Sequence, residues 1–274
     1  MGVGKGCRWG DTLRMRELLQ DAPSLLNYQN PENGMTLLMT AVACQTEPSS
    51  FLEEFILQSE FSTDDNKEQH RVFRFLLEYG ADVNLASPKT GLTALILACG
   101  TEYAHIEYIE ELLAFGADIN FAQPYPNYQT ALMSAIEGGR LDFVKYLVKH
   151  GVDVNYTDVN HQTPFTYSLS LARYDIGLFL VQNGADYNVP ICRKKDILKG
   201  FLLDSKDSSL VYLTEYLRYE KFPLDDARHK QKMALVNYLA SKGIDYAHAL
   251  IPKEIVEAAK KEYPKTWREY LKRY

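Results

Sequence analysis

Apolar residues recur along this chain at helical spacing, and polar phrases punctuate them at regular intervals. In one stretch Leu141, Val144, Leu147 and Val148 form a stripe, with Asp142, Lys145 and Lys149 on the opposite side. That spacing predicts an amphipathic helix with one buried and one wet face. A glycine follows each such stripe, where a left-handed backbone ends a helix at no steric cost. The endings read Gly80-Ala81-Asp82-Val83-Asn84, Gly116-Ala117-Asp118-Ile119-Asn120, Gly151-Val152-Asp153-Val154-Asn155 and Gly184-Ala185-Asp186-Tyr187-Asn188. Asp and Asn favour turns because their side chains bond to nearby backbone. The glycines are 36, 35 and 33 residues apart. A period in this range marks a stacked repeat array.

A threonine opens each shorter helix: Thr36-Leu37-Leu38, Thr93-Ala94-Leu95, Thr130-Ala131-Leu132 and Thr163-Pro164-Phe165. Threonine is a good N-cap, and Pro164 falls at the first helical position, which tolerates proline. From Asn to the next Thr the steps are 9, 9, 10 and 8 residues. Each unit therefore reads as a hairpin-like loop, a short helix, a tight turn and a longer helix.

These openings and exits resemble the ankyrin repeat. Thr163-Pro164-Phe165 is similar to the family's Thr-Pro-Leu opening, and the Gly-Ala-Asp-x-Asn phrases to its helix exit, over residues 8–190. The turn between the two helices is clear only as Gly138-Gly139-Arg140. The resemblance implies an all-α ankyrin-repeat solenoid. Residues 1–190 are expected to form the array, and 191–274 degenerate repeats with a helical C-terminal cap. In some organisms the Asn of such exit turns is hydroxylated where a Leu lies eight residues earlier, a spacing that Leu76/Asn84, Leu112/Asn120 and Leu147/Asn155 fit; the favoured reading is that these Asn simply stabilise the turn.

The rhythm breaks in three places. Thr36 to Gly80 spans 44 residues, against 21 for Thr130 to Gly151 and for Thr163 to Gly184. The excess predicts an insertion at about 45–68 with a short helical pattern, Phe51–Leu57, and an acidic stretch, Ser62–Asn66. Insertions map to loops on one face of such arrays, although a plain tolerated loop fits as well. The segment Phe121–Tyr128 is stiffened by Pro124 and Pro126. After Asn188 the phrases fade. Ile197, Phe201 and Leu202 suit one helix, and Leu210, Leu213, Tyr216 and Leu217 a second. Met233, Leu235, Val236 and Leu239 suit a third, followed by Gly243-Ile244-Asp245, an echo of the exit phrase. The tail from Ile255 is amphipathic and basic.

Composition narrows the function. With 46% hydrophobic residues a continuous core is affordable, and a net charge of −6 argues against nucleic acid as a partner. The four cysteines, Cys7, Cys44, Cys99 and Cys192, lie far apart and read as reduced thiols of a cytosolic protein. No apolar run is long enough to span a membrane. Met1–Gly6 lacks a signal-peptide core, a myristoylation serine or threonine, and phosphate-loop spacing. None of the six histidines shares a metal-ligand spacing. His150 stands just before Gly151, where its charge would favour a helix terminus. These readings predict no catalytic residues, no cofactor and no metal.

The resemblance implies a protein partner held on loop tips and inner helices by the positions the repeats leave free. These are Lys89, Thr90 and Leu92, then Tyr125, Asn127, Tyr128 and Gln129, then Asn160, His161 and Gln162, with Thr101, Glu137, Ser170 and Leu171 on the inner helices. Tyr125 and Tyr128 suit an interface, and equally suit covering the neighbouring loop. The expected function is a non-catalytic, monomeric, cytoplasmic protein-binding scaffold. The departures from the family pattern would suit a bacterial effector delivered to a host cytosol, or an inhibitor. The alternative is an enzyme or adaptor whose active part is 191–274, with the repeats as its targeting arm.

Overall fold

The computed structural model describes residues 12–43, 65–101, 105–124, 129–200, 206–220, 222–223, 225–246, 249 and 251–273. The chain divides into two compact units after Val152. Most of the 45–68 insertion, the Phe51–Leu57 pattern, the Met1–Gly6 segment and Tyr125, Asn127 and Tyr128 lie outside the described residues.

The first unit contains α1 (Thr12–Asp21), a 3-10 turn (Pro23–Leu25), α2 (Leu37–Ala43), α3 (Asp65–Glu78), α4 (Ala94–Gly100), α5 (Ile106–Ala114), α6 (Ala131–Glu137) and α7 (Leu141–Lys149). The short helices α2, α4 and α6 stack in series, while α3 packs on α2, α5 on α4 and α7 on α6. Seven residues are too few for a helix to persist alone in water. Stacking compensates: residues Leu37 to Val42 of α2 and Ala131 to Ile136 of α6 are all buried. The four threonines cap as expected. Oγ1 of Thr36, Thr93, Thr130 and Thr163 accepts from the N–H of Met39, Ile96, Met133 and Thr166 at 3.1, 3.4, 3.2 and 3.2 Å. At Thr163 the bond is reciprocated, because its own N–H donates to Thr166 Oγ1 at 2.8 Å.

The second unit contains α8 (Pro164–Ser170), α9 (Tyr174–Gln182), β1 (Cys192–Arg193), α10 (Lys194–Gly200), β2 (Leu210–Val211), α11 (Leu213–Tyr219), α12 (Ala227–Ser241), α13 (Lys253–Glu262) and α14 (Trp267–Arg273). The two strands pair antiparallel, Cys192 with Val211 and Arg193 with Leu210. This corrects the expectation that Leu210 shares a helix with Leu213. Tyr212 is extended (φ −98°, ψ 169°), so the helix starts after it and Leu210 joins the hairpin that leads in. Met233, Leu235, Val236 and Leu239 lie together on α12 as expected. A cluster of Leu198, Tyr219, Ile255, Ala259, Tyr270 and Leu271 ties α10 and α11 to α13 and α14.

The helix exits share one geometry. Gly80, Gly116, Gly151 and Gly184 sit at φ between 85° and 94°. In each case the following N–H donates back to a buried leucine carbonyl five residues earlier: Ala81 to Leu76, Ala117 to Leu112, Val152 to Leu147 and Ala185 to Leu180. Gly243 does the same (φ 86°), with Ile244 N–H to Leu239 at 3.0 Å. The faded phrase at 243–245 is thus a helix exit of the same kind. On α7 the buried residues are Phe143, Val144 and Leu147, whereas Leu141 and Val148 are only half-buried.

Candidate partner-binding surface

The exit phrase supplies the struts between neighbouring repeats. Asp82, Asp118, Asp153 and Asp186 each accept the N–H of the Asn two residues on, at 2.7–2.9 Å. The Asn side chain then reaches the next repeat. Asn84 Nδ2 donates to the Gly116 carbonyl at 2.9 Å, and its Oδ1 accepts the Asp118 N–H at 2.7 Å. Asn155 makes the same pair with Gly184 (3.1 Å) and Asp186 (2.8 Å). Asn27, nine residues before Thr36, accepts the Asp82 N–H on its Oδ1 at 2.9 Å.

The hairpin tips rest on one another in the same way. Gln29 Nε2 donates to the Ala86 carbonyl, and Lys89 Nζ to the Glu32 carbonyl at 2.7 Å. Gln123 Nε2 donates to the Thr90 carbonyl. The three described tips turn at a left-handed residue two before the threonine: Gly34 (φ 75°), Gly91 (φ 71°) and His161 (φ 61°). A Cβ on Gly91 would stand 2.8 Å from Gln123 Cγ, so the glycine admits the next loop.

The sequence-predicted positions divide accordingly. Lys89 and Thr90 are spent on struts between loops. Leu92 is half-buried, its carbonyl accepting the Ser87 N–H. Thr101 bonds back to the Leu97 carbonyl. Gln129 and Glu137 meet, Nε2 to Oε2 at 2.5 Å, although one lies in a loop and the other ends an inner helix. In the second unit Asp158 Oδ1 accepts the N–H groups of Asn160 and Gln162, and His161 forms the turn. Ser170 Oγ donates to the Tyr167 carbonyl, leaving Leu171 exposed beside it. His150 sits at the α7 C-terminus, its Nδ1 2.8 Å from the Tyr146 carbonyl and its ring stacked on Tyr146.

Large apolar side chains that remain in water in the second unit follow the repeat register. Val159 (61% exposed) is at a hairpin tip and Leu171 (38%) at the end of the inner helix α8. Leu210 (48%) and Tyr212 (46%) occupy the next hairpin as it enters α11. Burying the part of each that remains exposed would gain roughly 1 kcal/mol. Sequence reasoning named only Leu171; an apolar Val159 in a loop otherwise made of Asp, Asn, His and Gln was the available signal.

The repeats of this chain have counterparts in known proteins. A family model of ankyrin repeats, three copies, matches residues 101–191. This chain contains ankyrin repeats. Over 179 residues, 65% of its length, it is 30% identical to an ankyrin repeat and KH domain-containing protein of Caenorhabditis briggsae. The matched stretch is only 6% of that protein's length.

Beyond the matched repeats, the second unit buries a polar cluster that the sequence did not announce. Lys232 on α12 is fully buried, with Nζ donating to the Glu220 carbonyl at 2.8 Å. Burial brings its pKa down to about 7; the charge of Arg218 adds to this and that of Glu220 opposes it. Arg218 donates to the Tyr246 carbonyl at 2.7 Å, its guanidinium 4.0 Å from the Tyr246 ring centroid. Burial lowers the pKa of His229 and raises that of Tyr246 to about 12. Tyr174 and Tyr216 bond to the Glu220 carboxylate and the Leu169 carbonyl, joining this cluster to α8 and α9. Among the described residues no three His, Cys, Asp or Glu side chains converge as a metal site requires. No described helix is long and apolar enough to cross a membrane.

Proposed function

We propose that this protein is a non-catalytic binding module that holds a partner protein on its hairpin tips and inner helices. Ankyrin repeats mediate protein–protein interaction, which supports the reading in general. The observation that carries it in this chain is the exposure of Val159, Leu171, Leu210 and Tyr212 on the tips and inner-helix ends of the second unit. Apolar side chains among polar loop residues are the usual centre of an interface, with the polar positions Asn160, Gln162 and Ser170 as its rim. In this reading residues 191–246 are one further, degenerate repeat, and 251–273 are a helical cap.

The test is quantitative affinity capture with the full chain and with the double variant Val159→Asp/Leu171→Asp. Val159 is exposed and Leu171 partly so, and the variant should still unfold in a single cooperative melt, lowered by a few degrees by the carboxylate at the α8 C-terminus. Proteins captured by the parent chain and lost by the variant would support the proposal. Identical capture by both would refute it.

A further inference from the structure

Past the last glycine exit, one face of α12 lines an open cavity. In the first unit the long helix α3 packs against the next long helix, α5; in the second unit α9 packs against α12. Among the described helices, α12 packs closely only on α9. A cavity of about 880 Å³ opens between α12 and α14. Met233, Val236, Asn237 and Ala240 line one wall at i, i+3, i+4 and i+7, one continuous helical stripe. Trp267 and Leu271 of α14 form the facing wall at i and i+4. Two helical stripes facing each other across an open channel have the shape that accepts a third helix.

The charge around the channel says which helix. Arg268 and Lys272 stand on the α14 wall, both exposed. The guanidinium of Arg268 and the ammonium of Lys260 lie 4.6 and 5.0 Å from the Trp267 ring centroid, which sets cations along the aromatic lip. Asp245 is the acidic residue in the lining. Residues 251–273 carry seven Lys or Arg against four Glu, a net of +3 in a chain of net −6. The geometry points to a second docking site, independent of the hairpin tips: the groove between α12 and α14 receives an amphipathic helix of a partner protein, apolar at i, i+3, i+4 and i+7 and acidic on its flanks.

The probe is a fluorescein-labelled peptide of about 18 residues, leucine at those positions and glutamate on both flanks. Its partner control has lysine in place of every glutamate. Fluorescence anisotropy with the full chain should give saturable micromolar binding of the acidic peptide and about tenfold weaker binding of the basic one. Ala240 is exposed, so Ala240→Glu keeps the fold and should weaken the acidic peptide about tenfold by placing a carboxylate in the channel. Arg268→Glu/Lys272→Glu should weaken it similarly and flatten its salt dependence. Asn237→Leu extends the apolar wall and should tighten binding about threefold, a gain that misfolding does not produce. Leu171→Asp should leave binding unchanged, whether or not the hairpin tips hold a partner of their own. Equal binding of the two peptides overturns the proposal, as does no saturable binding, insensitivity to Ala240→Glu, or loss of binding in Leu171→Asp. Displacement of the peptide by phosphatidylserine vesicles through Arg268 and Lys272 would likewise overturn it in favour of a membrane surface.

Discussion

Asn84 is the sharpest place to test whether the repeated phrase holds neighbouring repeats together. Replacing it with alanine removes a donor to the Gly116 carbonyl and an acceptor for the Asp118 N–H, both in the following repeat. The bond from its own backbone N–H to Asp82 survives. A net hydrogen bond contributes roughly 0.5–1.5 kcal/mol. Both bonds lie at the surface, so water refills the lost sites and the lower half of that range applies. Asn84→Ala should therefore cost about 1–2 kcal/mol in all. With a urea m value of about 2 kcal/mol/M, the midpoint should fall by about 0.5–1 M without a change in slope. Hydrogen exchange gives the local readout, because the Asp118 amide should lose protection while the buried Leu112 amide keeps most of its own. Asn84→Asp keeps the acceptor for Asp118 but cannot donate to Gly116, and it sets a carboxylate against that carbonyl. It should be no more stable than the alanine variant. A midpoint shift below about 0.2 M together with an unchanged Asp118 amide would refute the strut assignment.

Four other outcomes follow from the same geometry. Gly91→Ala should destabilise by about 2 kcal/mol, because it adds left-handed strain to the overlap with Gln123 and Pro124; His161→Gly, at the equivalent tip, should stabilise by about 0.5 kcal/mol, and opposite signs in urea melts would contradict both. Cys99 is fully buried and burial raises its thiol pKa, while Cys192 is raised to about 11; site-resolved alkylation at pH 8 should leave Cys99 unmodified until the chain unfolds. Lys232 has a folded pKa near 7 against an ordinary 10.5, so between those values the unfolded chain binds the extra proton and stability should rise with pH. Lys232→Met should abolish the part of that rise seen between pH 7 and 9, and an identical slope in both proteins would show that Lys232 is not held neutral.

What was legible in the sequence is what the backbone alone demands. A left-handed helix exit needs glycine, a buried first turn needs a capping hydroxyl, and the spacing between them sets the repeat; hence the threonine caps and even the faded Gly243 exit were visible beforehand. Whatever depends on a neighbour distant in the chain was hidden. Lys232 looks like any surface lysine of an amphipathic helix until Glu220, Arg218 and Tyr246 close over it. Leu210 follows helical spacing from Leu213, yet its hairpin partner Arg193 is far behind it in sequence.

The same distinction explains why the binding surface was harder to read than the fold. A position that the repeat pattern leaves variable is free only with respect to the pattern. In this chain Lys89 serves the loop before it, Thr90 the loop after it, and Gln129 an adjacent helix. The side chains of Lys89 and Gln129 and the backbone carbonyl of Thr90 are occupied within the molecule, and a partner would have to break those bonds to use them. A variable position occupied by an apolar residue has no such internal claim, and water is a poor partner for it. Val159 and Leu171 therefore carry more of the argument for binding than the polar residues around them, and changing Asn160 or Gln162 to alanine should weaken a partner far less than Val159→Asp. Equal losses from rim and centre would mean that hydrogen bonding, and not apolar burial, selects the partner.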